Sequence, residues 1–159
     1  MIVLGIDPGL ATIGYGVVDF GPEWRALNYG CVKTGAETPT EVRLKEIFER
    51  IQEIIKENAP ECLVIERQFF NRNITNAIAV GKASGVIALS AAMNRIPVFE
   101  VTPLEVKDAL CGYGRAKKPE VGMMVKEMLG VTKVTKDSAD ALACALCYKI
   151  KTENKFLEL

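Results

Sequence analysis

The order of strand-like and helix-like segments restricts the fold of this chain more than any other feature of its sequence. An apolar run over residues 2–7 ends in the turn Asp7-Pro8-Gly9. Residues 12–20 and 24–34 have the composition of two further strands, and Gly21-Pro22 between them is typical of a turn. Connections this short join antiparallel neighbours, so this part of the chain predicts a meander of three antiparallel strands.

The remainder of the chain alternates helix with strand. Thr38-Pro39-Thr40-Glu41 has the form of a capping box and precedes an amphipathic helix predicted over residues 39–58. Residues 61–66 form a buried strand, which the intervening helix places parallel to the first strand or its neighbour. Further helices are predicted at about 74–94, 103–110, 119–129 and 138–151, and a fifth strand at 97–101. This pattern predicts an α/β fold in which helices flank a five-stranded mixed sheet, with three antiparallel strands followed by two parallel ones.

Length and composition are those of an ordinary globular protein. The 159 residues, of which 49% are hydrophobic and 25% charged, suffice for one domain, predicted at residues 1–151 with a loose tail over 152–159. The N-terminal apolar run is too short for a signal peptide, and Lys82 interrupts the richest apolar stretch, so no membrane segment is expected. Five cysteines without a disulfide-framework spacing fit a reducing cytoplasm.

Four carboxylates occupy positions at which catalytic metal ligands are expected. Asp7 and Glu66 each end an apolar strand, and Asp137 and Asp140 open the last helix. If the first and fourth strands are neighbours, Asp7 and Glu66 share one end of the sheet, and the helix can add the other two acids. The chain has no histidine, so ligation by oxygen alone suits Mg²⁺ or Mn²⁺ rather than zinc. Two such ions about 4 Å apart would neutralise the acids and activate water for phosphodiester hydrolysis.

Each of these acids also has a structural explanation. Asp7 suits the turn that it begins, and Glu66 could pair with Arg67. Asp137 could be an N-cap, and Asp140 would interact favourably with the helix dipole in the first turn. Because four carboxylates that meet without a cation would repel one another strongly, a shared metal site is the interpretation that accounts for all four together.

Positive charge is concentrated in the middle of a chain whose formal net charge is zero. Residues 37–61 carry seven acids and four bases, whereas residues 67–118 carry eight bases and three acids. This difference in sign is expected if one face of the protein meets an anion, although a mosaic surface would also produce it.

Two loops in the basic stretch contain residues suited to nucleic acid. The loop after Glu66 has an aromatic side chain that could stack on an unpaired base, and the glycine-containing loop over residues 112–118 has cations that could contact phosphates. Anchoring of the aromatic ring to the core and a solvated run of charge are the structural alternatives. The residues concerned are Phe69 and Arg72 in the first loop and Arg115, Lys117 and Lys118 in the second.

A stripe of small residues follows the helix predicted over 74–94. Its members recur at helical spacing and would let another helix approach closely. The second helix could belong to the same fold or to a second subunit, and the sequence leaves both options open. The stripe consists of Ala77, Gly81, Gly85, Ala88 and Ala92.

Taken in order, these motifs resemble the RuvC family of bacterial Holliday junction resolvases, and the resemblance extends to about residue 150. The matching segments are Gly5-Ile6-Asp7-Pro8-Gly9, Ile65-Glu66, the loop ending at Phe69, residues 112–116 with Lys118, and residues 137–143. The first motif alone is weakly specific, whereas the ordered set is highly specific. Pro119-Glu120 departs from the family, whose members usually carry a glutamine-containing polar stretch after the lysine.

The resemblance implies a ribonuclease H-like fold and a homodimer that makes paired Mg²⁺-dependent nicks across a four-way DNA junction, in cooperation with the RuvA and RuvB branch-migration proteins. It implies that Asp7, Glu66, Asp137 and Asp140 are the catalytic acids and bind the metal ions. Phe69 would stack at the junction. Lys107 and Lys118 match basic residues that assist at the DNA, and the helix with the small-residue stripe becomes a candidate for the dimer contact.

Three other functions are compatible with parts of the sequence. A ribonuclease H-like nuclease of the YqgF type would act on RNA, but the aromatic and basic loops favour the junction enzyme. A non-catalytic nucleic-acid-binding domain of the same fold would not need all four acids. An ATP-binding domain of the sugar-kinase and actin type has a turn similar to Asp7-Pro8-Gly9, but that architecture requires two such domains.

Overall fold

The computed structural model of the protein describes residues 1–67 and 74–157. The strands are β1 (Ile2–Asp7), β2 (Thr12–Phe20), β3 (Trp24–Lys33), β4 (Cys62–Glu66) and β5 (Val98–Val101). The helices are α1 (Thr40–Asn58), α2 (Ile74–Met93), α3 (Pro103–Cys111), α4 (Lys118–Leu129) and α5 (Lys136–Leu157).

The strands form one mixed sheet in the order β3-β2-β1-β4-β5. The pairs β1–β2 and β2–β3 are antiparallel, whereas β4 runs parallel to both β1 and β5. The predicted five-stranded sheet with three antiparallel and two parallel strands is therefore confirmed. The central strand is β1, and β4 is its direct neighbour.

Helices pack on both faces of the sheet. Side chains alternate along β1, so that Leu4 and Ile6 join the core formed with α1 and α2, whereas Val3 joins the core formed with α3, α4 and α5. Asp7 follows Val3 by four residues and therefore belongs to the face on which α5 packs. This alternation aims the last residue of β1 at the first turn of α5.

Two glycines let α5 approach the sheet closely. A Cβ atom on Gly5 of β1 would lie 2.0 Å from the carbonyl oxygen of Ala141, and one on Gly14 of β2 would lie 2.0 Å from the carbonyl oxygen of Asp137. Real Cβ atoms do not approach oxygen this closely, so any side chain at either position would push the helix away. The sequence places glycine where the helix backbone rests on β1 and β2, and this contact fixes the height of the first turn of α5 above the sheet.

The ends of two helices differ from the predictions. Pro39 occupies the N-cap position of α1 and no side chain caps it, so the capping box predicted at Thr38 does not form. At the other end of the chain, α5 continues to Leu157 instead of ending at residue 151. The segment predicted as a loose tail is thus helical through Leu157, and a Lys149–Glu153 ion pair of 3.0 Å and the Thr152 hydroxyl, which donates to the Tyr148 carbonyl, stabilise that extension.

Helix α2 is apolar on two faces. By length and composition alone, it is the one helix in the described part of the chain that could cross a membrane. One face buries Ala83, Ile87 and Ala91 in the core shared with α1 and the sheet. The opposite face leaves Ile78 and Leu89 exposed, so this helix combines a core-packing side with an outward apolar side.

Candidate active site and nucleic-acid-binding surface

Asp7 and Glu66 lie side by side at the carboxyl ends of two parallel strands. Ile6 pairs with Ile65 in the β1–β4 register, and the two acids are the next residues of their strands. Because side chains alternate along a strand, both acids lie on the face opposite to Ile6 and Ile65, which is the face covered by α5. The predicted meeting of these two carboxylates at one end of the sheet follows from this register.

Asp137 and Asp140 reach the same place from the first turn of α5. Thr135 and Ser138 fix that turn: the Ser138 amide donates to the Thr135 hydroxyl at 3.2 Å, and the Thr135 amide donates to the Ser138 hydroxyl at 3.0 Å. Thr135 therefore caps the helix, and the interpretation of Asp137 as its N-cap is wrong. Asp137 is instead the second residue of α5, and its carboxylate is available for other contacts.

A cysteine that sequence reasoning did not assign to the site lies beside Asp137. The Cys31 thiol is 3.1 Å from the Thr135 hydroxyl and donates weakly to the Asp137 Oδ2 at 4.0 Å. Cys31 lies opposite Gly14 in the β2–β3 pair, and Gly14 lies opposite Asp7 in the β1–β2 pair. One row of residues across β4, β1, β2 and β3 therefore contains Glu66, Asp7, Gly14 and Cys31. From β3, Cys31 contacts the first turn of α5.

The pKa of Asp7 is affected by each of the other three carboxylates. Burial, followed by the negative charges of Glu66 and Asp140, raises the pKa of Asp7 from 3.8 to about 7, and Asp137 adds to the rise. Lys118 acts in the opposite direction. A carboxyl group so perturbed by its neighbours in a cleft is a typical sign of a functional site.

Lys118 supplies the positive charge that compensates these acids. Its Nζ donates to the Asp140 Oδ2 at 2.6 Å, and the Asp140 side chain is only 14% exposed. Burial acts to lower the pKa of Lys118, but the hydrogen bond to Asp140 and the charges of Asp140, Glu66 and Asp7 outweigh it and raise the pKa. Of the four predicted DNA-contacting residues that the structure describes, Lys118 is the one with a recorded contact to the acids.

The donor set suits a hard divalent cation. All four side chains are carboxylates, and Asp140, Glu66 and Asp7 attract the ammonium group of Lys118, as a magnesium or manganese site would attract the metal ion. Within residues 1–67 and 74–157, no three acidic or cysteine side chains are close enough in their present rotamers to bind one ion together. The residues therefore fit the ion in the chemistry of their donor atoms.

The other predicted DNA-contacting residues have different settings. Phe69 and Arg72 lie outside the described residues. Lys107 is half-buried on α3, and Arg115 and Lys117 are exposed in the segment that joins α3 to α4. This segment therefore presents two cations to solvent directly before Lys118 enters the acid site.

Glu120 holds the segment between α3 and α4 in place. It accepts hydrogen bonds from the Tyr113 hydroxyl and, at 2.7 Å, from the Lys117 amide. Pro119 stands in the first turn of α4, where its missing N–H has no cost. The pair Pro119-Glu120 therefore starts α4 and ties the basic segment to it.

The small-residue stripe of α2 faces outward. No described heavy atom outside the local helix backbone lies within 4 Å of a Cβ built on Gly81 or Gly85. On the same side, Ile74 is 79% and Met93 is 64% exposed. Close packing of another helix of the described chain on these glycines is thereby excluded, and the stripe is part of an exposed apolar surface.

Comparison with protein families gives a match over nearly the whole chain. The sequence model of the family described as crossover junction endodeoxyribonuclease RuvC matches residues 3–148. The crossover junction endodeoxyribonuclease RuvC of Desulforamulus reducens is 45% identical over 151 residues, which cover 93% of each chain. That of Alkaliphilus oremlandii is 48% identical over 93% of this chain and 92% of its own.

Solved structures show the same fold. Thermus thermophilus RuvC in complex with a Holliday junction substrate has a TM-score of 0.92 and 36% identity, with 98% of this chain and 96% of that one covered. The yeast mitochondrial Holliday junction resolvase Ydc2 has a TM-score of 0.68 at 15% identity, over 98% of this chain and 84% of its own. Together with the sheet order, these similarities confirm the predicted ribonuclease H-like fold.

Proposed function

This chain belongs to the RuvC family of crossover junction endodeoxyribonucleases, and we propose that Asp7, Glu66, Asp137 and Asp140 form the catalytic centre with which it cleaves four-way DNA junctions. The observation that carries the proposal is geometric: the β1–β4 register puts Asp7 and Glu66 side by side at the ends of neighbouring strands, and the first turn of α5, which bears Asp137 and Asp140, rests on Gly14, the cross-strand partner of Asp7. A purely structural turn or cap would not require the other three acids beside it.

The metal is the feature that the acids most directly imply. Magnesium, with two ions bound by the four carboxylates and manganese able to substitute, would supply charge neutralisation and an activated water when bound. Asp7 is the shared member of the set, since burial and then the charges of Glu66 on the neighbouring strand and Asp140 on α5 raise its pKa. Lys118 lies at the same place and is positioned to contact the phosphate that reacts.

The substrate contacts follow the charge distribution. Lys107, Arg115, Lys117 and Lys118 would bind backbone phosphates around the acids, and Arg72 in the segment after β4 would add a further phosphate contact. Phe69 in the same segment would stack on a base that the junction leaves unpaired. The aromatic and cationic groups together favour a branched DNA over the RNA substrate of a YqgF-type nuclease.

A second copy of the chain fits the symmetry of the reaction. Paired nicks across a four-way junction require two active sites, and the outward face of α2 offers a surface for association. Gly81 and Gly85 allow close approach of a partner helix, and the neighbouring exposed side chains of Ile78 and Leu89 would be buried by it. We therefore propose a homodimer through α2, active in the cytoplasm as a single domain per chain and working with RuvA and RuvB.

Cleavage of synthetic substrates tests the function. A four-way junction, a linear duplex of the same sequence and an RNA–DNA hybrid are compared with and without Mg²⁺. We expect paired nicks in the junction only when the metal is present, with much slower cleavage of the other two. Equal activity on all three substrates, or no activity on the junction, would contradict the proposal, and preference for the hybrid would favour the RNA nuclease.

A further inference from the structure

A cleft of about 540 Å³ lies between α4 and the first turn of α5. One end of the cleft opens on Lys118 and Asp140, the pair at the edge of the acid site. Lys126 of α4 and Lys136 of α5, which directly precedes Asp137, also line the cleft. The cleft is therefore continuous with the catalytic centre but extends beyond the residues assigned to it above.

The charge of the cleft is positive and partly uncompensated. Three lysines line it against one aspartate, and that aspartate is already paired with Lys118. Lys126 and Lys136 are exposed, and neither forms an ion pair within the described part of the chain. The ammonium groups of Lys126 and Lys136 can therefore bind an anionic ligand, while the part of that ligand that reacts lies at the four carboxylates.

The spacing of the lysines along α4 suits contacts to a strand of nucleic acid. Lys118, Gly122 and Lys126 recur at four-residue spacing on one face of α4, so the two lysines stand about 12 Å apart along the helix. Successive phosphates of a DNA strand are separated by at least the axial rise of about 3.4 Å, so two lysines about 12 Å apart can contact different phosphates of one strand. Met123, which is 69% exposed, also lines the cleft and offers apolar contact to the deoxyribose faces between phosphates.

We propose that the α4–α5 cleft binds the sugar–phosphate backbone of the DNA arm on one side of the bond that is cleaved. Lys126 and Lys136 contact phosphates that do not react, and Met123 lies against the sugars between them. The proposal rests on the proposed function, because it assumes that the acids cleave DNA. It adds a strand-binding track that sets how the arm leaves the catalytic centre.

The salt dependence of junction binding tests this track. Binding of a synthetic four-way junction is measured by fluorescence anisotropy at several salt concentrations, in EDTA so that no cleavage occurs. Each phosphate contact contributes about 0.9 to the slope of log K against log salt concentration. We expect Lys126→Ala and Lys136→Ala each to reduce the slope by about 0.9, the double variant to reduce it by about twice that amount, and Lys126→Arg to keep it.

Lys56→Ala is the matched control, because Lys56 is an exposed lysine on α1, which packs on the other face of the sheet. Its slope should equal that of the unchanged protein. If the two cleft variants behave like Lys56→Ala while the unchanged protein binds the junction, the cleft proposal is wrong and the proposed function stands. If the unchanged protein shows no preference for the junction over linear duplex, the proposed function itself fails.

Discussion

The carbonyl oxygen of Asp137 rests directly over Gly14, where a Cβ atom would approach it to 2.0 Å. Gly14 is also the cross-strand partner of Asp7. Because Gly14 has no side chain, the first turn of α5 can bring Asp137 and Asp140 close to Asp7. A side chain at this position would move that turn, and with it the two carboxylates, away from Asp7.

Gly14→Ala should reduce cleavage far more than it reduces folding. The added methyl group would force the first turn of α5 outward and separate Asp137 and Asp140 from Asp7, and overpacking of this kind costs about 1–3 kcal/mol of stability. Junction cleavage and thermal unfolding are the measurements. Gly21→Ala is the control, since a Cβ there would lie no closer than 3.7 Å to a neighbouring atom; equal loss in both variants would show that the close approach at Gly14 is unimportant.

Asp7→Asn should abolish Mg²⁺-dependent cleavage and leave junction binding largely intact. The amide has the shape of the carboxylate but lacks its charge, so it is a poor metal ligand, while the lysines that contact phosphates are unchanged. Single-turnover cleavage and anisotropy with the same junction separate the two effects. A variant that folds normally and loses binding would assign Asp7 a role in DNA recognition instead.

The pH dependence of stability should reveal the crowding of the acids. Burial and the charges of Glu66 and Asp140 raise the pKa of Asp7 to about 7, so the folded protein holds this proton more tightly than the unfolded chain does. The resulting stabilisation is complete below about pH 4 and is lost as the pH rises through about 7. In EDTA at pH 8, the free energy of unfolding of Asp7→Asn should therefore exceed that of the unchanged protein by a few kcal/mol, since each pKa unit corresponds to about 1.4 kcal/mol. The variant should accordingly unfold at a higher temperature.

The comparison between pH 4 and pH 8 is the informative part of that measurement. The two proteins should have nearly equal stability at pH 4, where Asp7 is protonated, and should diverge as the pH rises. Parallel stability curves across this range would mean that Asp7 is not held among the other acids in solution. Addition of Mg²⁺ at pH 8 should stabilise the unchanged protein more than the variant, because the ion binds the folded form.

The main features of this site could be predicted from the sequence because local rules placed them. Asp7 and Glu66 each end an apolar strand, and the helix before β4 makes β4 parallel to β1 or its neighbour, so the two acids share one end of the sheet once β1 and β4 lie side by side. Asp137 and Asp140 are close in sequence and needed only one helix. Thr135 was harder to recognise as the cap, since threonine and aspartate are both good N-cap residues and both stand near the start of α5.

The place of Cys31 could not be predicted, because it depends on an irregularity in the sheet. Phe20 pairs with Trp24 at the β2–β3 turn, but the register shifts by one residue between Val17 and Val18. A regular hairpin would have put Gly30 opposite Gly14, and a shift of one residue exchanges the two faces of a strand. The bulge, which no turn motif signals, brings Cys31 to the catalytic face.

Cys31→Val should weaken metal binding without removing a metal ligand. The thiol contacts Thr135 and Asp137, and groups that orient a metal ligand commonly contribute about tenfold or more to metal affinity. We expect a higher Mg²⁺ concentration at half-maximal cleavage and weaker Mn²⁺ binding by electron paramagnetic resonance. Cys31→Ser keeps a hydrogen-bonding group and should restore most of both values; if serine and valine behave alike, the thiol is only filling space.

Leu89→Glu should separate the proposed dimer into monomers that remain folded. Leu89 is 54% exposed in the single chain, so a carboxylate there can be solvated in a monomer, whereas two carboxylates facing each other across an α2–α2 contact would be desolvated and would repel. Sedimentation velocity should show half the mass, and the paired nicks in a junction should become uncoordinated single nicks. Leu27→Glu on β3, where Leu27 is 48% exposed, is the matched control and should remain dimeric. A Leu89→Glu protein with the mass of the unchanged dimer would place the subunit contact elsewhere, and the apolar face of α2 would then require a different partner.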